Sequence, residues 1–150
     1  MVAPVEIRPA RPEERELLGG LKLRASLAYG DLTEELTALP EAREVPLDHM
    51  AHAFVAEADG QVLGFGTVLR TADGGAELED VFVAPEAWRR GVGAQLIAEA
   101  ARRAAALGAP VLGVVANERA RAFYEACGFR QVGVVETLFE PAPRMEKPLA

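Results

Sequence analysis

Apolar and polar positions along this chain change period several times, and each change predicts an element. Val5-Glu6-Ile7-Arg8 alternates and stops at Pro9, which predicts a short first strand. Pro12-Glu13-Glu14 then opens a helix with proline and acids in its first turn, and Leu17, Leu18, Leu21 and Leu27 give it an apolar face. A second helical stretch is predicted near Leu32–Leu39. Residues 40–50, with two prolines and mixed charge, read as a loop. Ala53–Glu57 and Val62–Leu69 read as strands, and Asp59-Gly60 between them signals a hairpin. Gly74-Gly75 marks another turn, and Glu77–Val83 a further strand ended by Pro85. Gly91–Leu107 predicts a helix closed by Gly108 at its C-terminal cap. Val111–Val115 is a β-branched strand, and Asn117 can cap a helix that runs to Cys127 and ends at Gly128. Short closing strands are expected near Gln131–Val135 and Arg144–Pro148. The order β, α, α, β, β, β, α, β, α, β, β predicts an α/β (mixed α+β) sheet in one layered domain spanning 1–150.

Composition narrows the classes of function. The chain has 150 residues, half of them hydrophobic, enough for one domain with a real core. No apolar run approaches the roughly 18–20 residues a membrane span needs, and the N-terminus lacks the basic and apolar stretches of a signal peptide. Cytoplasmic residence is the expectation. The net charge of −7 opposes nucleic-acid binding by repelling phosphate, and weakly favours a cationic partner. The one cysteine, Cys127, precludes an internal disulfide and most cysteine-based metal sites. It sits on the apolar side of its helix, where packing is its expected role. His49 and His52 have no carboxylate or cysteine partner at metal spacing, so no metal is expected.

The segment Leu78-Glu79-Asp80-Val81-Phe82-Val83-Ala84-Pro85-Glu86-Ala87-Trp88-Arg89-Arg90-Gly91-Val92-Gly93-Ala94 carries the most chemistry. A strand enters a basic, glycine-containing loop that opens a helix. Free N–H groups at a helix start, with the positive end of its dipole, bind phosphates. Gly91 and Gly93 admit close backbone approach, and Arg89 and Arg90 add charge. The loop is neither a Walker A sequence nor Gly-x-Gly-x-x-Gly. On the glycines alone, a diphosphate site and an ordinary strand-to-helix turn with solvated arginines are both compatible.

This segment resembles the acetyl-CoA-binding motif of the GNAT superfamily of N-acetyltransferases, Gln/Arg-x-x-Gly-x-Gly/Ala after a strand ending Val-x-Pro. Val83-Ala84-Pro85 and Trp88-Arg89-Arg90-Gly91-Val92-Gly93 stand at that spacing, with Trp88 where Gln or Arg is usual. Asn117-Glu118-Arg119-Ala120-Arg121-Ala122-Phe123-Tyr124-Glu125-Ala126-Cys127-Gly128-Phe129 is similar throughout to the superfamily's second signature, Asn-x-x-Ala-x-x-Phe/Leu-Tyr-x-x-x-Gly-Phe. On helical spacing, Ala120, Phe123, Tyr124 and Cys127 share one face. The resemblance implies a central, mostly antiparallel twisted sheet of about six or seven strands flanked by about four helices, with splayed central strands that bind CoA. It implies acetyl-CoA as cosubstrate. The backbone of Val81, Phe82 and Val83 would pair with the pantetheine arm, and a cradle of Arg89, Arg90, Gly91, Val92, Gly93 and Ala94 would hold the diphosphate. Asn117 would cap its helix and touch the pantetheine. Tyr124 would protonate the departing thiolate.

Acyl transfer to an amine needs an oxyanion donor and a proton acceptor for the ammonium. The donor is expected to be a backbone N–H near Val83. Glu79, then Asp80, are the candidate bases, since superfamily members place carboxylates at this point and Val111–Val115 offers none. Residues 78–83 also resemble the same stretch of diamine acetyltransferases. Arg24, Tyr29 and Asp31 fall where members select acceptors. The acceptor is a small amine or a peptide amine, and the assembly expected from superfamily habit is a homodimer. Two other readings carry the same motifs: a catalytically silent acyl-CoA-binding module, and a dinucleotide-binding oxidoreductase. The latter predicts an acid about 20 residues past the glycines, where Ala109-Pro110-Val111-Leu112 has none.

Overall fold

The computed structural model describes residues 4–30 and 32–149. Its elements are β1 (Glu6–Pro9), α1 (Arg15–Leu27), α2 (Thr33–Ala38), β2 (Ala53–Ala58), β3 (Gln61–Arg70), β4 (Ala76–Val83), α3 (Val92–Ala106), β5 (Val111–Val115), α4 (Arg121–Ala126), β6 (Arg130–Val135) and β7 (Ala142–Pro148). The strands follow the order β1-β2-β3-β4-β5-β7-β6. Pairings β1–β2, β2–β3, β5–β7 and β6–β7 are antiparallel, and β4–β5 is parallel. This is the mixed, mostly antiparallel sheet of about six or seven strands that the superfamily resemblance implies. The chain groups into two compact units, Met1–Thr67 with Asp80–Ile97 and Val68–Glu79 with Ala98–Ala150. No helix among the described residues is long and apolar enough to cross a membrane.

In the first unit, Asp59 and Gly60 both take positive φ, 52° and 73°, the backbone that a two-residue hairpin needs to match strand twist. Leu18, Val45, Phe54, Val55, Phe65 and Leu96 are fully buried and form its core. The apolar face of α1 differs from the predicted one. Leu17 is 54% exposed, while Leu18, Gly19, Leu21 and Ala25 are buried. The reason is Gly19: a side-chain carbon there would collide with the Arg43 carbonyl, so helix and turn approach backbone to backbone. Residues 40–50 are correspondingly more ordered than a loop. They form 3-10 turns at Pro40–Arg43 and Leu47–His52 that bury Ala42 and Met50, with Val45 buried between them. Gly64 of β3 serves a second close approach. A Cβ there would lie 2.8 Å from the Phe82 carbonyl oxygen and 3.1 Å from Leu96 Cδ1.

In the second unit, Leu112, Val114 and Met145 of the strands and Ala100 and Ala104 of α3 are buried. The described pairs of the parallel ladder are Ala76–Leu112 and Glu77–Gly113. α3 ends in a Schellman turn: Gly108 N–H donates to Ala105 O at 2.9 Å and Ala109 N–H to Ala104 O at 3.1 Å, with Gly108 at φ 81°. Gly128 ends α4 in the same way, with bonds from Gly128 to Glu125 (3.1 Å) and from Phe129 to Tyr124 (3.0 Å).

Candidate functional site

β4 delivers the chain to the start of α3 through a tightly specified turn. Ala84 N–H donates to Leu63 O at 2.8 Å, so the strand end is pinned to β3. Pro85–Ala87 follows as a 3-10 turn. Arg89 and Gly91 then take φ of 65° and 80°, and Gln95 N–H reaches Gly91 O at 3.1 Å as α3 begins. Left-handed residues next to right-handed ones turn successive N–H groups toward one concavity, a geometry that attracts anions. The first N–H groups of α3 have no partner inside the helix, and its dipole adds positive potential. Buried Val92 and Leu96 seat the helix, while Arg89, Arg90, Gly91 and Ala94 are exposed and Gly93 is partly so. A left-handed arginine costs about 1–2 kcal/mol relative to its ordinary backbone, which makes this turn a place where conformation is held against preference.

Upstream, the carboxylates of β4 divide by strand parity. Glu79 points to solvent, while Asp80 is 7% exposed. The Lys22 ammonium of α1 lies 3.7 Å from Asp80 Oδ1, donates to Glu44 O at 3.1 Å, and sits 5.9 Å from the Phe82 ring centre. A buried carboxylate needs such a counter-charge. Val81, Phe82 and Val83 are half-buried, and Phe82 leans on Phe65 at 5.8 Å.

Two of the three expected acceptor residues meet this turn. Arg24 pairs with Glu86 at 3.2 Å, and Tyr29 packs against Trp88 with ring centres 5.4 Å apart. Asp31 lies outside the described residues. Glu86 is held below the usual carboxylate range, first by a hydrogen bond from its own backbone N–H and then by Arg24. Trp88 donates its indole N–H to Val83 O at 2.8 Å. Sequence reasoning noted Trp88 only as a departure from a pattern. It gave no sign of this bond, of the Lys22–Asp80 pair or of the Arg24–Glu86 pair, because each depends on how far a side chain reaches once the backbone has folded.

The second unit holds the other expected residues. Asn117 caps its helix, accepting from Arg119 N–H at 2.8 Å. Tyr124 is 6% exposed, with Phe123 and Phe129 edge-on at 5.3 Å each. The expected shared face is incomplete: Phe123 is 36% exposed. Both residues lie within α4 (Arg121–Ala126), where neighbours along the chain stand about 100° apart around the axis, so one is buried and the other reaches the surface. Burial pushes the Cys127 thiol up, which suits a packing role. Glu77 is bound by Arg144 through both carboxylate oxygens, at 2.6 and 2.8 Å. Gly113 makes room for that pair, since a Cβ there would meet the guanidinium and lie 2.9 Å from Glu77 Oε2. Among the described residues, the buried His49 Nδ1 has no hydrogen-bond partner. Among the described residues, no group of three or more His, Cys, Asp or Glu is placed to hold a metal.

Comparison with known proteins places this arrangement. Among solved structures, nourseothricin acetyltransferase is 31% identical over 65% of each chain, with a TM-score of 0.61. The putative streptothricin acetyltransferase from Bacillus anthracis, solved with acetyl coenzyme A, is 27% identical over 64% of this chain and 61% of that one, TM-score 0.60. The match thus spans 65% and 61% of the length of these two relatives, less than two thirds of each. PaiA N-acetyltransferase from Thermoplasma acidophilum, solved with coenzyme A, shares the fold over 97% of this chain and 99% of that one, at 22% identity and TM-score 0.80. A search of curated proteins gave no match. The profile of the acetyltransferase (GNAT) family matches residues 23–129, most of the chain including both motifs, and the protein therefore belongs to the GNAT acetyltransferase family.

Proposed function

We propose that residues 1–150 act as one acetyl-CoA-dependent N-acetyltransferase domain that moves the acetyl group to a primary amine by direct attack in a ternary complex. The observation that carries this reading is the turn before α3. A pinned strand end, two left-handed residues, two arginines and an open helix start converge there, in a chain of a family named for acetyl transfer. The backbone of 89–94 holds the CoA diphosphate, the backbone of 81–83 pairs with the pantetheine, and Asn117 touches that arm. Glu79 takes a proton from the incoming ammonium, and the freed amine nitrogen attacks the thioester carbonyl carbon. Charge gathers on the carbonyl oxygen, against a backbone N–H near Val83. A C–N bond forms, the C–S bond breaks, Tyr124 gives its proton to the thiolate, and the second proton lost by the nitrogen restores the Tyr124 hydroxyl. Glu79 is proposed ahead of Asp80 because Asp80 is buried with the Lys22 ammonium 3.7 Å from its carboxylate.

Acceptor choice falls to the α1 side, where Tyr29, Trp88, Arg24 and Glu86 line the approach to the turn. Two of the solved relatives are named as acetyltransferases of nourseothricin and streptothricin, and the expected likeness of residues 78–83 to diamine acetyltransferases adds polyamines. Nourseothricin, streptothricin and polyamines are therefore the first acceptors to test. The experiment is a panel of these amines, amino acids and peptide N-termini with acetyl-CoA, read as thiol release. Turnover of at least one amine supports the reading. CoA binding with no thiol release from any amine would instead favour the silent acyl-CoA-binding module. The proposed assembly is a two-fold homodimer, which light scattering tests against the monomer mass of 16.0 kDa.

A further inference from the structure

Trp88 is the chain's one tryptophan, and it occupies an unusual place. Its indole Nε1–H donates to the Val83 carbonyl at 2.8 Å. That carbonyl ends β4, within the stretch whose backbone, in the function proposed above, pairs with the pantetheine arm. A carbonyl oxygen can accept a second donor. At this distance, however, covalent geometry puts the ring carbons beside Nε1 within about 4 Å of the same oxygen, so the indole crowds any second donor to it. The ring is not locked in a core. It is 37% exposed, its neighbour Tyr29 is 39% exposed, and the left-handed Arg89 follows immediately.

We propose that Trp88 sets this chain's affinity for acyl-CoA by holding the Val83 carbonyl, and that the pantetheine arm displaces the indole when the donor binds. Trp88 is thus a positioning residue on the donor side. The free protein keeps its strand end satisfied by an internal donor, and the cosubstrate replaces one N–H···O bond with another. The inference rests on the donor mode proposed above, and its test separates the two.

Calorimetry with CoA on the wild-type protein tests the donor mode. Indole emission and its quenching by acrylamide, excited at the red edge of the band, report Trp88 alone. CoA is expected to shift the emission and change the quenching. Adenosine 3′,5′-bisphosphate, which lacks the pantetheine, is expected to do neither. Trp88→Phe keeps a ring against Tyr29 and removes the N–H. It is expected to bind CoA about threefold to tenfold more tightly, the worth of one hydrogen bond, with a lower KM for acetyl-CoA. A purely structural tryptophan predicts weaker binding on substitution. CoA binding with a silent indole, an equal response to the bisphosphate, or weaker or unchanged CoA binding in a folded Trp88→Phe overturns the proposal and leaves the donor mode standing. No CoA binding to the wild type overturns both. If Trp88→Phe does not fold, the wild-type emission and quenching measurements decide alone.

Discussion

Single side chains decide the chemistry, and two deserve separate tests. Tyr124 is buried among aromatic rings, so packing and proton donation make different forecasts for the same change. Tyr124→Phe keeps the ring. If the hydroxyl donates a proton, turnover should fall by about 10²–10⁴, while chemical denaturation should show a stability change within about 1 kcal/mol. Intact turnover in stopped-flow assays would leave Tyr124 a packing residue. Glu79→Gln should lower turnover most at low pH, where the amine arrives protonated, and the defect should shrink at high pH, where the free amine needs no base. A defect equal at every pH would assign Glu79 to substrate binding. Single-turnover measurement is needed for both, since product release can mask chemistry. Sequence placed both residues by motif. Strand alternation puts Glu79 and Asp80 on opposite faces of β4, but the cation that makes Asp80's burial tolerable sits on α1, far earlier in the chain, and no local pattern announces it.

Turns and caps were the most legible elements. Asp59-Gly60, Gly108 and Gly128 adopt the left-handed backbone that their sequence context demands, because the constraint lies within a few residues. Where a glycine answers to a distant partner, sequence was mute: Gly19 makes way for the Arg43 carbonyl, and Gly113 for the Arg144–Glu77 pair. The second case is testable. The Arg144 guanidinium is the far end of a flexible chain, so Gly113→Ala should displace it rather than the backbone and cost about 1 kcal/mol in thermal or chemical unfolding. In an Arg144→Met background the same change should cost clearly less; equal costs would mean that the methyl group strains the strand itself. At the α3 turn, Gly91→Asp should weaken CoA at least tenfold, roughly 1.4 kcal/mol. Gly91→Asn shares the shape and the tolerance of positive φ, and should lose much less. Calorimetry giving equal losses for the two would assign the effect to backbone strain and remove the argument for an anion there.

Across the whole molecule, charge is distributed unevenly in its consequences. Arg8 of β1 holds Glu14 at 2.8 and 3.0 Å and Glu57 at 2.8 Å, tying the first strand to the turn before α1 and to β2. The hydrogen bonds from Arg8 hold both carboxylates below the usual range. Their contribution to stability is therefore complete above the ordinary value of 4.5 and is lost as pH falls through the lower folded-state value. Glu14→Gln should flatten the acid limb of the stability profile in denaturant titrations; an acid limb as steep as wild type would place the sensitivity elsewhere. The strained turn before α3 has a different bearing, on how this protein would respond to engineering. Arg89 holds a backbone conformation that glycine adopts freely, at a cost of about 1–2 kcal/mol. A directed-evolution campaign scored on melting temperature alone would drift toward Arg89→Gly. The variants it enriched would be hardier and would have shed a cation from the loop proposed above to hold the CoA diphosphate. On that proposal, thermal fitness and cofactor capture pull in opposite directions at this codon, so a library built on this scaffold should hold it fixed.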